Sequence, residues 1–80
     1  MGRRRPKRLA EKLLQIRKAL GLSQREMAER IDSGINHNHV SKFERDKSEP
    51  TPEELLAYAR IARVALDHLI DDDAELTLGL

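Results

Sequence analysis

Cysteine is absent from this chain of 80 residues. That removes disulfides, thiol catalysis and thiolate metal sites, and it fits a protein that works in the reducing cytoplasm. Apolar runs are too short for a bilayer-spanning helix or for the core of a secretory signal, so no membrane association is expected. The four glycines are scattered and form no phosphate-cradling loop. Asp71, Asp72 and Asp73 are consecutive, yet they have no partner base and no metal geometry, so no catalytic constellation is visible. His37 and His39 invite a metal reading that helix geometry rejects. Residues two apart point about 200° from one another and cannot share an ion. Neither an enzyme nor a cofactor is expected.

What the chain does have is a division of charge. Residues 1–47 hold thirteen Lys or Arg against six acids, and residues 48–80 hold two against eight. The net +1 therefore hides about +7 followed by −6. A polyanion would be drawn to the first half and repelled by the second, which implies a molecule with one nucleic-acid-facing side. The length allows one domain with one modest core.

Residues 1–8 form a charge-dense segment in which Arg3, Arg4, Arg5, Lys7 and Arg8 follow one another almost without interruption. It reads as a flexible basic arm. Such an arm can lie along phosphates or enter a narrow minor groove, and it can equally be a frayed terminus that adds only non-specific attraction.

From residue 7 to 20, Leu9, Leu13, Ile16 and Leu20 recur at helical spacing, with Lys12, Arg17 and Lys18 expected on other faces. Gly21 suits a left-handed stop. Ser23 and Glu26 form a capping box for a second helix that ends near Ile31 or Asp32. A turn over residues 32–36 follows, with Gly34 at positive φ and Asn36 as the next cap. The third helix, from His37 to about Glu44, sends Val40 and Phe43 inward and leaves His37, Asn38, Ser41 and Lys42 outside. Asp46 is expected to close it in a left-handed conformation. Thr51, Pro52 and Glu54 start a fourth helix that buries Leu55, Leu56, Tyr58, Ala59 and Ala62, and a short fifth helix contributes Leu66, Leu69 and Ile70. The three aspartates disfavour continuation at its C-terminus. Residues 71–80 read as an acidic, leucine-bearing tail in which Leu76, Leu78 and Leu80 alternate as in a strand. That tail is either disordered or paired with a second subunit. The folded domain is expected over residues 9–70.

The segment Leu-Gly-Leu-Ser-Gln at 20–24, Met-Ala-Glu-Arg-Ile at 27–31, Val-Ser-Lys-Phe-Glu-Arg at 40–45, Pro50 and Val-Ala-Leu-Asp-His-Leu-Ile at 64–70 together resemble the lambda repressor and Cro type of helix-turn-helix DNA-binding domain. The resemblance implies an all-α, five-helix fold in which helices two and three form the helix-turn-helix. It also implies that the third helix enters the major groove while the second lies across the backbone.

Carried onto this chain, it makes His37, Asn38, Ser41 and Lys42 the base-reading candidates, with His39 behind them. Asn pairs in bidentate fashion with adenine, and Lys donates to guanine O6 and N7. Gln24, Arg25, Asn36, Arg45 and Lys47 become the phosphate-binding candidates. Arg17 and Glu44 occupy the positions of a structural ion pair. Two features depart from the pattern. The stretch between Ile31 and Val40 is two residues longer than usual, and Asp46 and Arg63 stand where glycine is common.

The implied function is a sequence-specific regulator of transcription, a repressor, that binds double-stranded DNA as a homodimer. The alternative is an antitoxin or adaptor in which the same fold serves a protein partner.

Overall fold

The computed structural model describes residues 6–76 and 78. Its helices are α1 (Leu9–Leu20), α2 (Gln24–Ile31), α3 (His37–Glu44), α4 (Pro52–Ala62) and α5 (Leu66–Ile70). No strand occurs among the described residues.

Each boundary has a local cause. Gly21, at φ 70°, ends α1 and donates its amide back to the last turn. At α2 the Ser23 hydroxyl accepts from the Glu26 amide while the Glu26 carboxylate accepts from the Ser23 amide, at 3.0 and 2.8 Å. Those bonds hold the Glu26 carboxyl below the usual carboxylate range. Thr51 and Glu54 repeat the arrangement at α4, with Pro52 at the first helical position, where its missing N–H is not needed. Asp32, Asp46 and Arg63 all adopt positive φ, at 53°, 58° and 59°. The last two are the sites where the sequence pattern has glycine, so the backbone shape is kept against the preference of the side chain.

The core is aliphatic around Phe43 and Tyr58. Leu9, Leu13 and Ile16 of α1 meet Met27, Ala28 and Ile31 of α2, Val40 and Phe43 of α3, and Leu55, Tyr58, Ala59 and Ala62 of α4, with Leu69 of α5 closing one end. Burial of each large side chain contributes about 1.5–3 kcal/mol. Leu56 and Ile70, expected inside, are 37% and 44% exposed, because their helix faces turn away from α1.

Two charged residues depart from the amphipathic pattern, and together they clasp the ends of the chain. Lys12, expected on an outer face, is fully buried. Its ammonium donates to the carbonyls of His68 and Asp71, at 2.6 and 2.7 Å. The His68 carbonyl lies in the last turns of α5 and the Asp71 carbonyl, which also accepts from the Ala74 amide, follows it, so a cation at that end satisfies both charge and hydrogen bonding. Reciprocally, the Asp72 carboxylate accepts from the amides of Lys7 and Arg8, both at 3.0 Å, and so caps the start of α1 from the far end of the sequence. These bonds hold the Asp72 carboxyl below its ordinary range. The Arg8 guanidinium adds a bond to the Asp72 carbonyl and an ion pair with Glu75.

The tail departs from a strand as well. Leu76 is buried in the core of its own chain, Leu78 packs against it, and the Gln15 side chain donates to the Leu76 carbonyl. Burial of Leu76 in this core stabilises the tail more than an unpaired edge would. Leu80 lies outside the described residues.

Candidate nucleic-acid interface

Helix α3 is short, and an eight-residue helix is stable only when its ends and one face are fixed. Both are. At its start, the Asn36 side-chain oxygen accepts from the amides of Asn38 and His39, at 2.9 and 3.4 Å. The bond that usually comes from Glu or Gln comes here from His39, whose Nδ1 accepts the Asn36 amide at 3.1 Å. At its far end, the left-handed Asp46 turns the chain so that the Lys47 amide reaches the Lys42 carbonyl.

On the inner side, Val40 and Phe43 are buried. At 100° per residue, Asn38 and Arg45 stand directly opposite that pair, with Ser41 and Lys42 to either side. Asn38, Lys42 and Arg45 are exposed and Ser41 is half-buried. Four side chains of hydrogen-bonding chemistry thus form one outward stripe, into which Arg45, read from the sequence as a phosphate contact, is drawn. His37 lies to one side. With Arg25, Ala28, Glu29, Ile35 and Asn36 it lines an open hollow of about 300 Å³ between α2 and the turn that leads into α3. His39 is exposed, but its ring is engaged in the cap.

The two additional residues are accommodated in the turn over residues 32–36, where Asp32 and Gly34 both take positive φ. Ser33 anchors this longer turn by donating to the Glu54 carboxylate of α4, at 3.4 Å. The start of α3 is therefore tied to the start of α4.

A polar network sets α3 against the other helices. Arg17 and Glu44 form a two-point ion pair, Nε to Oε2 at 2.7 Å and Nη2 to Oε1 at 3.1 Å. The side chains are only 16% and 5% exposed. The Arg17 Nη1 donates to the Leu22 carbonyl, and the Gln24 side-chain amide donates to Glu44 Oε1 at 3.1 Å. One carboxylate thus joins α1, the start of α2 and the end of α3. The bond to Glu44 raises the pKa of Arg17 against the opposing effect of burial. Arg25, Asn36 and Lys47 are exposed and Gln24 is half-buried. Arg3, Arg4 and Arg5 lie outside the described residues, whereas Lys7 and Arg8, read from the sequence as part of an unpacked arm, are held by Asp72.

Three roles were missed by the sequence reading: Lys12 as a cap for α5, Asp72 as a cap for α1, and His39 in the capping box. The third had a sequence signal, since His39 stands three residues after Asn36, where the reciprocal partner of a capping residue belongs.

Comparison with known proteins agrees with this architecture. The DNA-binding domain of the P22 c2 repressor, solved in solution over its residues 1–76, superposes with a TM-score of 0.71 at 26% identity, covering 96% of this chain and 95% of that one. The P22 c2 repressor crystallised with a synthetic operator gives a TM-score of 0.72 at 28% identity, over 81% of this chain and 96% of that one. The HTH-type transcriptional regulator ImmR of Bacillus subtilis (strain 168) is 32% identical over 65 residues, which are 81% of this chain. The present chain spans about half the length of that regulator. The helix-turn-helix family model matches residues 13–69, from the first turns of α1 to α5. The chain belongs to the helix-turn-helix family of the lambda repressor and Cro type.

Proposed function

We propose that this chain is a sequence-specific regulator of transcription that binds double-stranded DNA and acts as a repressor in the cytoplasm. Helix α3 reads the major groove, with Asn38 at the centre of the contact, Lys42 and Ser41 to either side of it and His37 beyond them. The observation that carries this reading is the outward stripe of α3, polar along its length and set opposite a fully packed face. A helix buried on one side and rich in donors and acceptors on the other has the shape and chemistry that base edges require. Gln24, Arg25, Asn36, Arg45 and Lys47 supply phosphate contacts that fix the register, and the basic arm adds sequence-independent attraction.

The working form in this reading is a homodimer on a two-fold site, with half-sites about one helical turn apart. Leu56 on α4 and Ile70 on α5 are the exposed large apolar side chains among the described residues, and they support a protein contact on that side. We assign that contact to a second copy. An antitoxin or adaptor function would assign it to another protein instead.

Selection of binding sites from random duplexes tests the proposal. The expected result is a short palindrome, with Asn38→Ala and Lys42→Ala each weakening binding by about 1–3 kcal/mol and relaxing preference at one position. Selection that yields no sequence, from a chain that is monomeric in solution, would favour the adaptor reading.

A further inference from the structure

Three bonds close the start of α3, and Asn36 takes part in each of them. Its side-chain oxygen accepts from the amides of Asn38 and His39, and its own amide donates to Nδ1 of His39. The last bond decides where the proton of the imidazole must be. Nδ1 lies 3.1 Å from the Asn36 amide nitrogen and 3.1 Å from the Asn36 side-chain oxygen. An amide N–H only donates, so all three bonds are made together when Nδ1 carries a lone pair and the ring proton sits on Nε2. A second proton, on Nδ1, removes that acceptor. The new N–H then faces the Asn36 amide, and it competes with two backbone amides for one side-chain oxygen. It also places a positive charge at the helix N-terminus, where the dipole disfavours it. The ring is exposed, so solvent protons reach it, and histidine is the side chain that ordinarily changes charge between about pH 8 and pH 5.

We propose that His39 is a positioning residue for DNA binding: its neutral ring closes the cap that aims Asn38, and protonation opens the cap and weakens binding. This inference rests on the DNA-binding reading above. The route from ring to contact is short. His39 fixes the Asn36 amide, the Asn36 side chain fixes the Asn38 amide at 2.9 Å, and Asn38 stands on the outward stripe of α3. Charged and titratable groups surround this end of the helix. They are His37 and Lys42 on α3 itself, Arg25 and Glu29 of α2 across the hollow shared with Asn36, Asp32 of the turn, and Glu54 of α4, to which Ser33 donates. Arg17 of α1 is engaged with Glu44 at the far end. Among the described residues, the hydrogen bonds of the His39 ring are to Asn36. The cap is therefore whole at alkaline pH and is lost as the ring takes up its second proton.

The test compares the full chain with His39→Gln, whose side-chain oxygen accepts a hydrogen bond and takes up no proton, on a duplex selected for binding, from about pH 8 to about pH 5.5. Every other charged group is common to the two proteins, so the ratio of their affinities isolates position 39. On acidification the unsubstituted chain is expected to lose about three- to tenfold in affinity relative to His39→Gln, the worth of one net hydrogen bond. His39→Ala, which has no acceptor, is expected to bind more weakly than His39→Gln by a similar factor at every pH. In an Asn38→Ala background the pH-dependent loss is expected to shrink. Imidazole nitrogen resonances of labelled protein give a second readout: Nδ1 of His39 should be an unprotonated acceptor at pH 8 and become protonated as affinity falls. A constant ratio would overturn the proposal. So would a ratio that rises on acidification, most steeply at low salt, because attraction of the charged ring to phosphates would then outweigh the cap. A loss of equal size in the Asn38→Ala background, or an Nδ1 already protonated at pH 8, would overturn it as well, and all four results leave the DNA-binding reading intact. Failure of the unsubstituted chain to bind any duplex would overturn both.

Discussion

Glu44 has the most demanding position of any single residue. It is a nearly buried carboxylate whose oxygens face donors from two other helices. A buried pair of this kind adds modest net stability, because desolvation opposes the attraction, but removal of one partner leaves the other charge uncompensated. Glu44→Ala is therefore expected to destabilise the fold by about 3–5 kcal/mol, as measured by urea unfolding. That exceeds the effect expected from any individual base contact. An unchanged unfolding midpoint would show that the pair does not organise the three helices. The pairing of Arg17 with Glu44 was implied by family resemblance, because residues 27 apart in sequence carry no local signal of contact. Lys12 was less legible still. Its place off the apolar stripe of the first helix implied solvation, and only the arrival of the α5 C-terminus in space makes burial of a cation favourable.

At the scale of the element, α2, α3 and α4 were legible because apolar spacing and the capping residues Ser23, Asn36 and Thr51 agree. The boundaries that moved did so for non-local reasons. Helix α1 starts at Leu9 rather than at residue 7 because its capping carboxylate comes from Asp72, sixty-five residues beyond the Lys7 amide that it accepts. This makes a prediction with a definite sign. A carboxyl held below its unfolded pKa contributes stability that is fully present above that value, about 3.9, and is lost as pH falls through the lower folded value. Asp72→Asn should therefore be less stable than the unsubstituted chain at pH 7, and the two unfolding curves should converge as pH falls below about 4. Curves that stay parallel as the solution is acidified would remove Asp72 as the cap. Helix α3 offers a second test. Its capping box depends on an acceptor at position 39, so His39→Ala should lower stability by about 0.3–1.5 kcal/mol and His39→Gln should restore much of the loss. Thermal unfolding of both variants separates a cap from a surface histidine, for which neither change would register.

Across the whole molecule, the charge division read from the sequence becomes a contact between ends. The root of the basic half and the acidic tail meet where Asp72 and Glu75 hold residues 7 and 8. Composition gave the signs of the two halves but not this contact, which depends on α1 and α5 packing side by side. The described tail residues differ from the expected strand for a related reason. Alternating leucines suit an edge strand, yet the core of the same chain takes up Leu76. The folded unit consequently extends beyond residue 69, where the family match ends. A chain truncated after Ile70 loses the Leu76 contact, worth about 1.5–3 kcal/mol, together with the Asp72 cap. A chain truncated after Leu78 keeps both. The first is expected to unfold at clearly lower urea concentration than the second, with no difference between the second and the full chain. If the tail instead served mainly to join two copies, truncation after Ile70 would lower the mass in solution while leaving the unfolding of the monomer unchanged. Sedimentation and unfolding on the same pair of truncations therefore decide whether residues 71–78 belong to the core of one copy or to the interface between two.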